Sequence, residues 1–339
     1  MRRACFSALF FAALVLAGCD RGAEKSASAT TPEAAGASNA AAAAAKAPRP
    51  ARMIIAAKFE EGGPFSEGLA AVRIGARYGY IDTTGKTVIA PQFDFAGAFS
   101  EGLAAVGDGS KIGFIDKKGT FVLTLSFDVA DLFGFSEGLA PVRIGEFLTG
   151  KWGYVDKQGK IAIKPQFDAA GLFSDGLAVV RVDDKWGYID KQGNFAINPQ
   201  FASAGTFAEG FASVRSGDGD KAGYIDKKGL IVIQPQFDSA FPFSDGLADV
   251  QIGDKYGFID HQGKMVIAAQ LDFADKFSGG LAAIRAGDDR TGKYGFIDKQ
   301  GRIAIDPQFD FADLFSPSDG LAAVRVGNAQ SGKYGYIGK

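Results

Sequence analysis

One phrase recurs eight times in this chain, and that recurrence limits the folds available more than any other feature. Phe-Ser-Glu/Asp-Gly-Leu-Ala, or a near variant, places its Phe at 65, 99, 135, 173, 207, 243, 277 and 315. A second phrase, Tyr/Trp-Gly-Tyr/Phe-Ile-Asp, follows each time, with its Gly at 79, 113, 153, 187, 223, 257, 295 and 335. Two phrases in constant order, the first recurring every 34 to 38 residues, define one supersecondary unit repeated in tandem. Such a unit cannot bury its own apolar face, so neighbouring units have to stack and share a core.

Within a unit such as 173–206, three runs read as strands: Leu177 to Val182, Lys185 to Asp190 and Asn194 to Phe201. Their apolar and polar residues alternate with period 2, β-branched and aromatic side chains dominate, and no window sustains a helical period. The second and third runs are joined by Asp-Lys-Gln/Lys-Gly, as at Asp156–Gly159 and Asp190–Gly193. Asp bonds its own turn backbone and Gly accepts a left-handed conformation, which together predict a tight hairpin. Between the first and second runs, the distance from the Leu (Phe211 in one unit) to the Gly is 10, 12 or 14 residues, always even. Even insertions keep every side chain on its face, so these two runs form a hairpin whose tip lies in solvent.

The fold class expected is therefore all-β: eight antiparallel three-stranded meanders, each followed by a crossing segment. The repeat begins out of phase. Met53 to Phe59 matches the third run of a unit, and the chain ends on Lys333 to Ile337, which lacks a third run. A closed ring lets the first strand complete the last sheet and removes exposed edges, so a propeller-like ring is favoured over an open superhelical array.

Lys151-Trp152-Gly153-Tyr154-Val155-Asp156 and Lys185-Trp186-Gly187-Tyr188-Ile189-Asp190 resemble the WG-repeat, or KWG-repeat, family of bacterial proteins, and the resemblance runs from Met53 to Lys339. It implies an interaction module with no catalytic residues to carry over. Trp gives way to Tyr78, Tyr256, Tyr294, Tyr334, Ile112 and Ala222 elsewhere, so no ligand contact at this position recurs in every unit.

The amino terminus reads MRRACFSALFFAALVLAGC, two arginines, an apolar run and Leu16-Ala17-Gly18-Cys19. That is a secretory signal peptide, residues 1–18. Its last residues resemble the lipobox of bacterial lipoproteins, which implies that Cys19 is lipidated and becomes the new terminus. Two or more acyl chains suffice for stable membrane anchoring. Residues 19–52 are rich in Ala, Ser, Thr and Pro without apolar periodicity, a disordered linker between lipid and the repeat domain 53–339. The location expected is the cell envelope, on the periplasmic face of the inner or outer membrane.

Cys5 leaves with the leader and Cys19 is taken by lipid, so the mature chain has no thiol for a disulfide, a catalyst or a metal. Thirty-seven Lys and Arg, less Arg2 and Arg3, against 39 Asp and Glu give a net charge of −4, which offers nothing to suggest a nucleic-acid partner, and none is expected. His261, the single histidine, replaces Lys in a hairpin turn and is expected to be solvated. The turn aspartates, Asp82, Asp116, Asp156, Asp190, Asp226, Asp260 and Asp298, are too sparse for calcium, which needs about six converging oxygens, and are read as turn caps. Gly217-Asp218-Gly219-Asp220 is read as a polar loop.

Two sets of candidate contacts remain. Arginine ends the first run in six units, at 73, 143, 181, 215, 285 and 325, and Arg143 and Arg181 are candidates for an anionic ligand. The preferred reading pairs each with the repeated carboxylates. Trp152 and Trp186 could stack on sugar rings, although core packing is the commoner use. The expectation is a non-enzymatic, cofactor-free envelope lipoprotein that presents a β surface to a protein or a cell-wall glycan. A carbohydrate module using Trp152 and Trp186 is the alternative, and an envelope hydrolase the third reading.

Overall fold

The computed structural model describes residues 51–339 other than 110, 126–128, 147–148 and 218. The leader, Cys19 and most of the linker lie outside the described residues, as does Asp218 of the polar loop. The repeat region forms eight antiparallel sheets of four strands, with no helix among the described residues. They follow one another around a ring, an eight-bladed β-propeller. Blades 1 to 7 span residues 61–93, 95–124, 129–167, 169–201, 203–237, 239–271 and 273–309, and blade 8 combines 311–338 with 52–59.

Closure is by strand exchange between the ends. Arg52–Phe59 pairs antiparallel with Lys333–Gly338 and supplies the fourth strand of blade 8. The out-of-phase start of the repeat has this consequence, and it leaves no broken sheet.

Each blade has one strand more than the three runs legible in the sequence. The crossing segment contributes a first strand, often of two residues, such as Phe95–Ala96 or Ser203–Ala204. So short a strand has no readable alternation and exists only because the next strand is placed beside it. Its position puts it on the axial side of the ring. The fourth strands form the rim: their residues alternate between exposed and buried, as in Ile161–Phe167.

The two sequence phrases meet at every interface between blades. The aromatic ring two residues after the start of the second phrase packs on the Phe of the next blade's first phrase. Tyr188–Phe207, Phe258–Phe277 and Tyr336–Phe65 are examples, with centroids 4.7, 4.7 and 4.8 Å apart. The apolar clusters are accordingly shared, as where Tyr80, Ile89 and Phe93 of blade 1 pack with Phe99, Val106 and Ile115 of blade 2. The Ala of Leu-Ala, from Ala70 to Ala322, is sealed in all eight units.

The Gly of the second phrase answers a different demand. At Gly187, an added Cβ would lie 2.6 Å from the carbonyl oxygen of Ile197 and 2.6 Å from the nitrogen of Pro199. Here the pairing slips: Trp186 faces Phe201 while Tyr188 faces Ile197, so the fourth strand bulges toward the third. Pro fits the bulge because it needs no ladder donor.

Candidate functional site

The repeated polar residues are consumed by the scaffold. On one face of the ring, the acid of Phe-Ser-Glu/Asp-Gly reaches the next blade. Glu101 accepts from the backbone N–H of Gly138 at 3.1 Å and pairs with Lys157 at 3.0 Å. Glu67 and Glu137 repeat this with Gly102 and Lys117, and with Gly176 and Lys191. These acids hold φ of 53° to 56°, an unfavourable conformation for a side-chain-bearing residue that the interblade contact offsets. His261 is not simply solvated. It takes the lysine's place, with Nε2 2.8 Å from Glu209 and its ring stacked 5.1 Å from Phe211.

On the opposite face, the acid that follows the fourth strand links successive blades. Asp272 pairs with Lys255 at 2.6 Å and accepts from Gly287 N–H at 2.7 Å. Asp310 does the same with Lys293 and Gly327, and Glu60 with Lys333 and Gly75 across the closure. Hydrogen bonds from the lysines hold Asp168, Asp238, Asp272, Asp310 and Glu60 below the usual carboxylate range.

The turn aspartates cap their own hairpins. Asp190 Oδ1 accepts from the N–H groups of Gln192 and Asn194 at 3.0 and 2.9 Å, and Gly193 completes the turn at φ 84°.

Arginine and aromatic positions coincide. Arg143 stands opposite Trp152 and Arg181 opposite Trp186 on paired strands, with guanidinium carbons 5.7 and 5.8 Å from the ring centroids. Arg285 and Arg325 lie over Tyr294 and Tyr334 in the same way. The repeated carboxylates near these arginines are not those of the first phrase, which bind the next blade, but the acids after the fourth strand: Arg181, Arg215, Arg285 and Arg325 help to hold Asp168, Asp238, Asp272 and Asp310 low, while Arg181, Arg285 and Arg325 also stack on rings. Arg73 forms an ion pair with Glu61 at 2.7 Å, and Arg285 one with Asp289. Trp152 is 8% exposed and stacked 5.4 Å from Phe133, so its faces are occupied; Trp186 is half-buried. The structure brings each Arg–Trp pair together but does not present Trp152 as a platform.

Departures from the repeat are few, and three of them lie together. Asp249 occupies a second-strand position held by Ala in four other blades, and it is 3% exposed. Its Oδ1 has no hydrogen-bond partner. Burial, and then the nearby Asp275, push its carboxyl well above the usual range. Burial also raises Asp275 and Asp313 on the first-strand segments of blades 7 and 8. Sequence reading missed these residues because Asp is common throughout; the available signal was an acid at a position that is otherwise small and apolar.

A family model described as a WG containing repeat matches residues 51–77, 78–111, 112–146, 152–186, 186–219, 223–256, 256–288 and 294–329. No curated protein matches the chain. Among solved structures, a eukaryotic initiation factor aligns with TM-score 0.52 at 11% identity, over 85% of this chain and 87% of that one. Kluyveromyces lactis Hsv2p aligns with TM-score 0.43 at 12% identity, over 85% and 98%. A Pyrococcus horikoshii acylaminoacyl peptidase aligns with TM-score 0.46 at 12% identity, over 80% and 57%. At these identities the first likeness is one of fold alone, and the other two carry no argument. The propeller and its repeats are consistent with a repeat-based binding module, and with eight matched units across the described region the chain belongs to the WG-repeat family.

Proposed function

We propose that this protein is a non-catalytic lipoprotein of the bacterial cell envelope, held through Cys19, that presents its propeller to a protein partner. The observation that carries the binding role is the use of the repeated charges. Carboxylates, lysines and arginines that recur from blade to blade are engaged with the neighbouring blade or a stacked ring, which makes a rigid display surface rather than a reactive centre. A protein is favoured over a glycan because Trp152 is buried while Leu230 and the first residues of the outermost strand of blade 5, Ile231 and Val232, are 60%, 46% and 45% exposed. Exposed contiguous apolar side chains are a feature of protein-binding surfaces. The anchor rests on the leader and Leu16-Ala17-Gly18-Cys19.

The test is made in intact cells. A photo-crosslinking residue in place of Ile231 should capture one defined protein, and Ile231→Asp should abolish co-purification of that protein with the chain. Cys19→Ser should eliminate incorporation of an alkyne-labelled fatty acid. Sedimentation with peptidoglycan, lost on replacing Trp152 and Trp186 with Ala, would instead establish the glycan reading. Turnover of glycan or peptide by the purified protein, abolished by one carboxylate substitution, would overturn the non-catalytic assignment.

A further inference from the structure

Asp249 lies opposite Phe258 on paired strands of blade 6, on the blade face turned toward blade 7. The corresponding positions are Ala71, Ala105, Ala283 and Ala323 in four other blades, and Pro141, Val179 and Ser213 in the rest. A buried carboxyl with one unpartnered oxygen costs stability that Ala would not. Sites where a chain breaks its own local rule at such a cost are where function is expected.

The neighbouring interfaces depart in a matched way. In blades 1, 3, 4, 5 and 8 the tyrosine of the second phrase donates to a first-strand carbonyl of the next blade, at Gly97, Gly171, Gly205, Phe241 and Gly63. Blades 2, 6 and 7 carry Phe114, Phe258 and Phe296 instead, and 17 residues on, the spacing of the first four of those carbonyl partners, stand Asp131, Asp275 and Asp313. The last two of these exchanges fall on successive interfaces next to Asp249, where two hydroxyl donors are lost and two carboxyls gained.

Asp275 and Asp313 accept only from the N–H groups of Lys276 and Leu314, each at 2.7 Å through Oδ1. Their Oδ2 atoms have no protein donor among the described residues. Both side chains are enclosed by protein yet remain in contact with solvent. Asp249 stands behind them with its free acceptor. The other titratable groups near the three are Lys276, which forms no ion pair among the described residues, and the phenols of Tyr224, Tyr256, Tyr334 and Tyr336.

Among the described residues no three acidic, His or Cys side chains form a metal-binding group. Carboxyl acceptors that do not form such a group suit a cation that carries several directed N–H donors, and an ammonium group has three. We propose that Asp249, Asp275 and Asp313 form an acceptor site for an organic protonated amine at the axial side of blades 6 to 8. The site goes beyond the binding-platform reading and does not depend on the identity of the macromolecular partner.

Titration calorimetry of the full-length chain in detergent with spermidine tests this. Saturable binding is expected, with proton release, because an amine recruits the ionised acids. Affinity should rise about tenfold per pH unit for each proton released. Asp275→Asn and Asp313→Asn should each weaken binding at least about tenfold, the cost of one charge-assisted hydrogen bond, whereas Asp306→Asn, exposed on the rim, should leave it unchanged. Asp249→Ala, which restores the residue of four other blades, should keep the fold by circular dichroism and weaken binding. Absence of saturable binding, equal binding by the Asn variants, or Asp275-dependent calcium binding tighter than spermidine would each overturn the proposal.

Discussion

The phenol of Tyr336 donates a 2.9 Å hydrogen bond to the carbonyl of Gly63, 273 residues earlier in the chain. The contact reproduces the one Tyr188 makes with Gly205 at 2.8 Å, 17 residues later. The closing interface is thus built from the same part as the internal ones, and the ring has no weak seam at this position. Tyr336→Phe should lower stability by about 1 kcal/mol, the net worth of a buried hydrogen bond. Deleting residues 51–59 should cost far more, because it exposes the edge of the third strand of blade 8. Denaturant unfolding followed by tryptophan fluorescence checks both, and solution scattering of the isolated repeat domain should report a flat disc.

Gly187 has no room for a methyl group, since its Cβ would press on the backbone of the bulged strand. Gly187→Ala should destabilise by about 1–3 kcal/mol through overpacking. Gly176→Ala tests a different effect. Nothing lies within 4 Å of its Cβ, but its φ is 83°, so the cost there is conformational, roughly 1 kcal/mol. Thermal melts of the two variants should rank in that order.

The carboxylates set two opposing pH dependences. Asp168, Asp238, Asp272, Asp310 and Glu60 are held low by lysine hydrogen bonds, so their contribution is present above the unfolded carboxylate range and is lost as pH falls below it. Asp249 is raised, so the native state binds more protons than the unfolded one. Its contribution is therefore full below the unfolded value and is lost as pH rises. Asp249→Ala should accordingly stabilise the protein at pH 7, by about 0.5–2 kcal/mol, as repeat-consensus changes commonly do. The gain should shrink at pH 4, and a Tm series across that range decides it.

The first-phrase acids combine an unfavourable backbone with an interblade bridge. Glu137→Gly removes both, as blade 7 already does with Gly279 at φ 59°. Because Glu137 and Lys191 are both partly exposed, the bridge contributes at most about 1 kcal/mol, and the net change should stay within about 0.5 kcal/mol. Glu137→Ala keeps the strained backbone without the bridge and should be the less stable of the two in urea.

Much of this architecture was legible in the repeat. Asp190–Gly193 announced its hairpin because the Asp cap and the Gly turn are interactions within five residues. The even insertions located the solvent-facing tips, of which Asp183 and Asp184, both at positive φ, form one. The strand starting at Arg52 was recognisable as a displaced third run, and it does close the ring. The partners of the charges were not legible. Arg181 and Glu137 recur with equal regularity, and regularity does not say that one stacks on Trp186 while the other reaches Gly176 of the next blade.

What the sequence alone determined was the local and periodic part: eight units, all-β, with two hairpins each and a start and end that complement one another. These follow from alternation and turn chemistry, which act between residues near in the chain. Only the tertiary structure decided the two-residue first strands, the occupied faces of Trp152 and the grouping of Asp249, Asp275 and Asp313. Each of these depends on how closely one blade approaches the next, and that distance is set by packing between sheets.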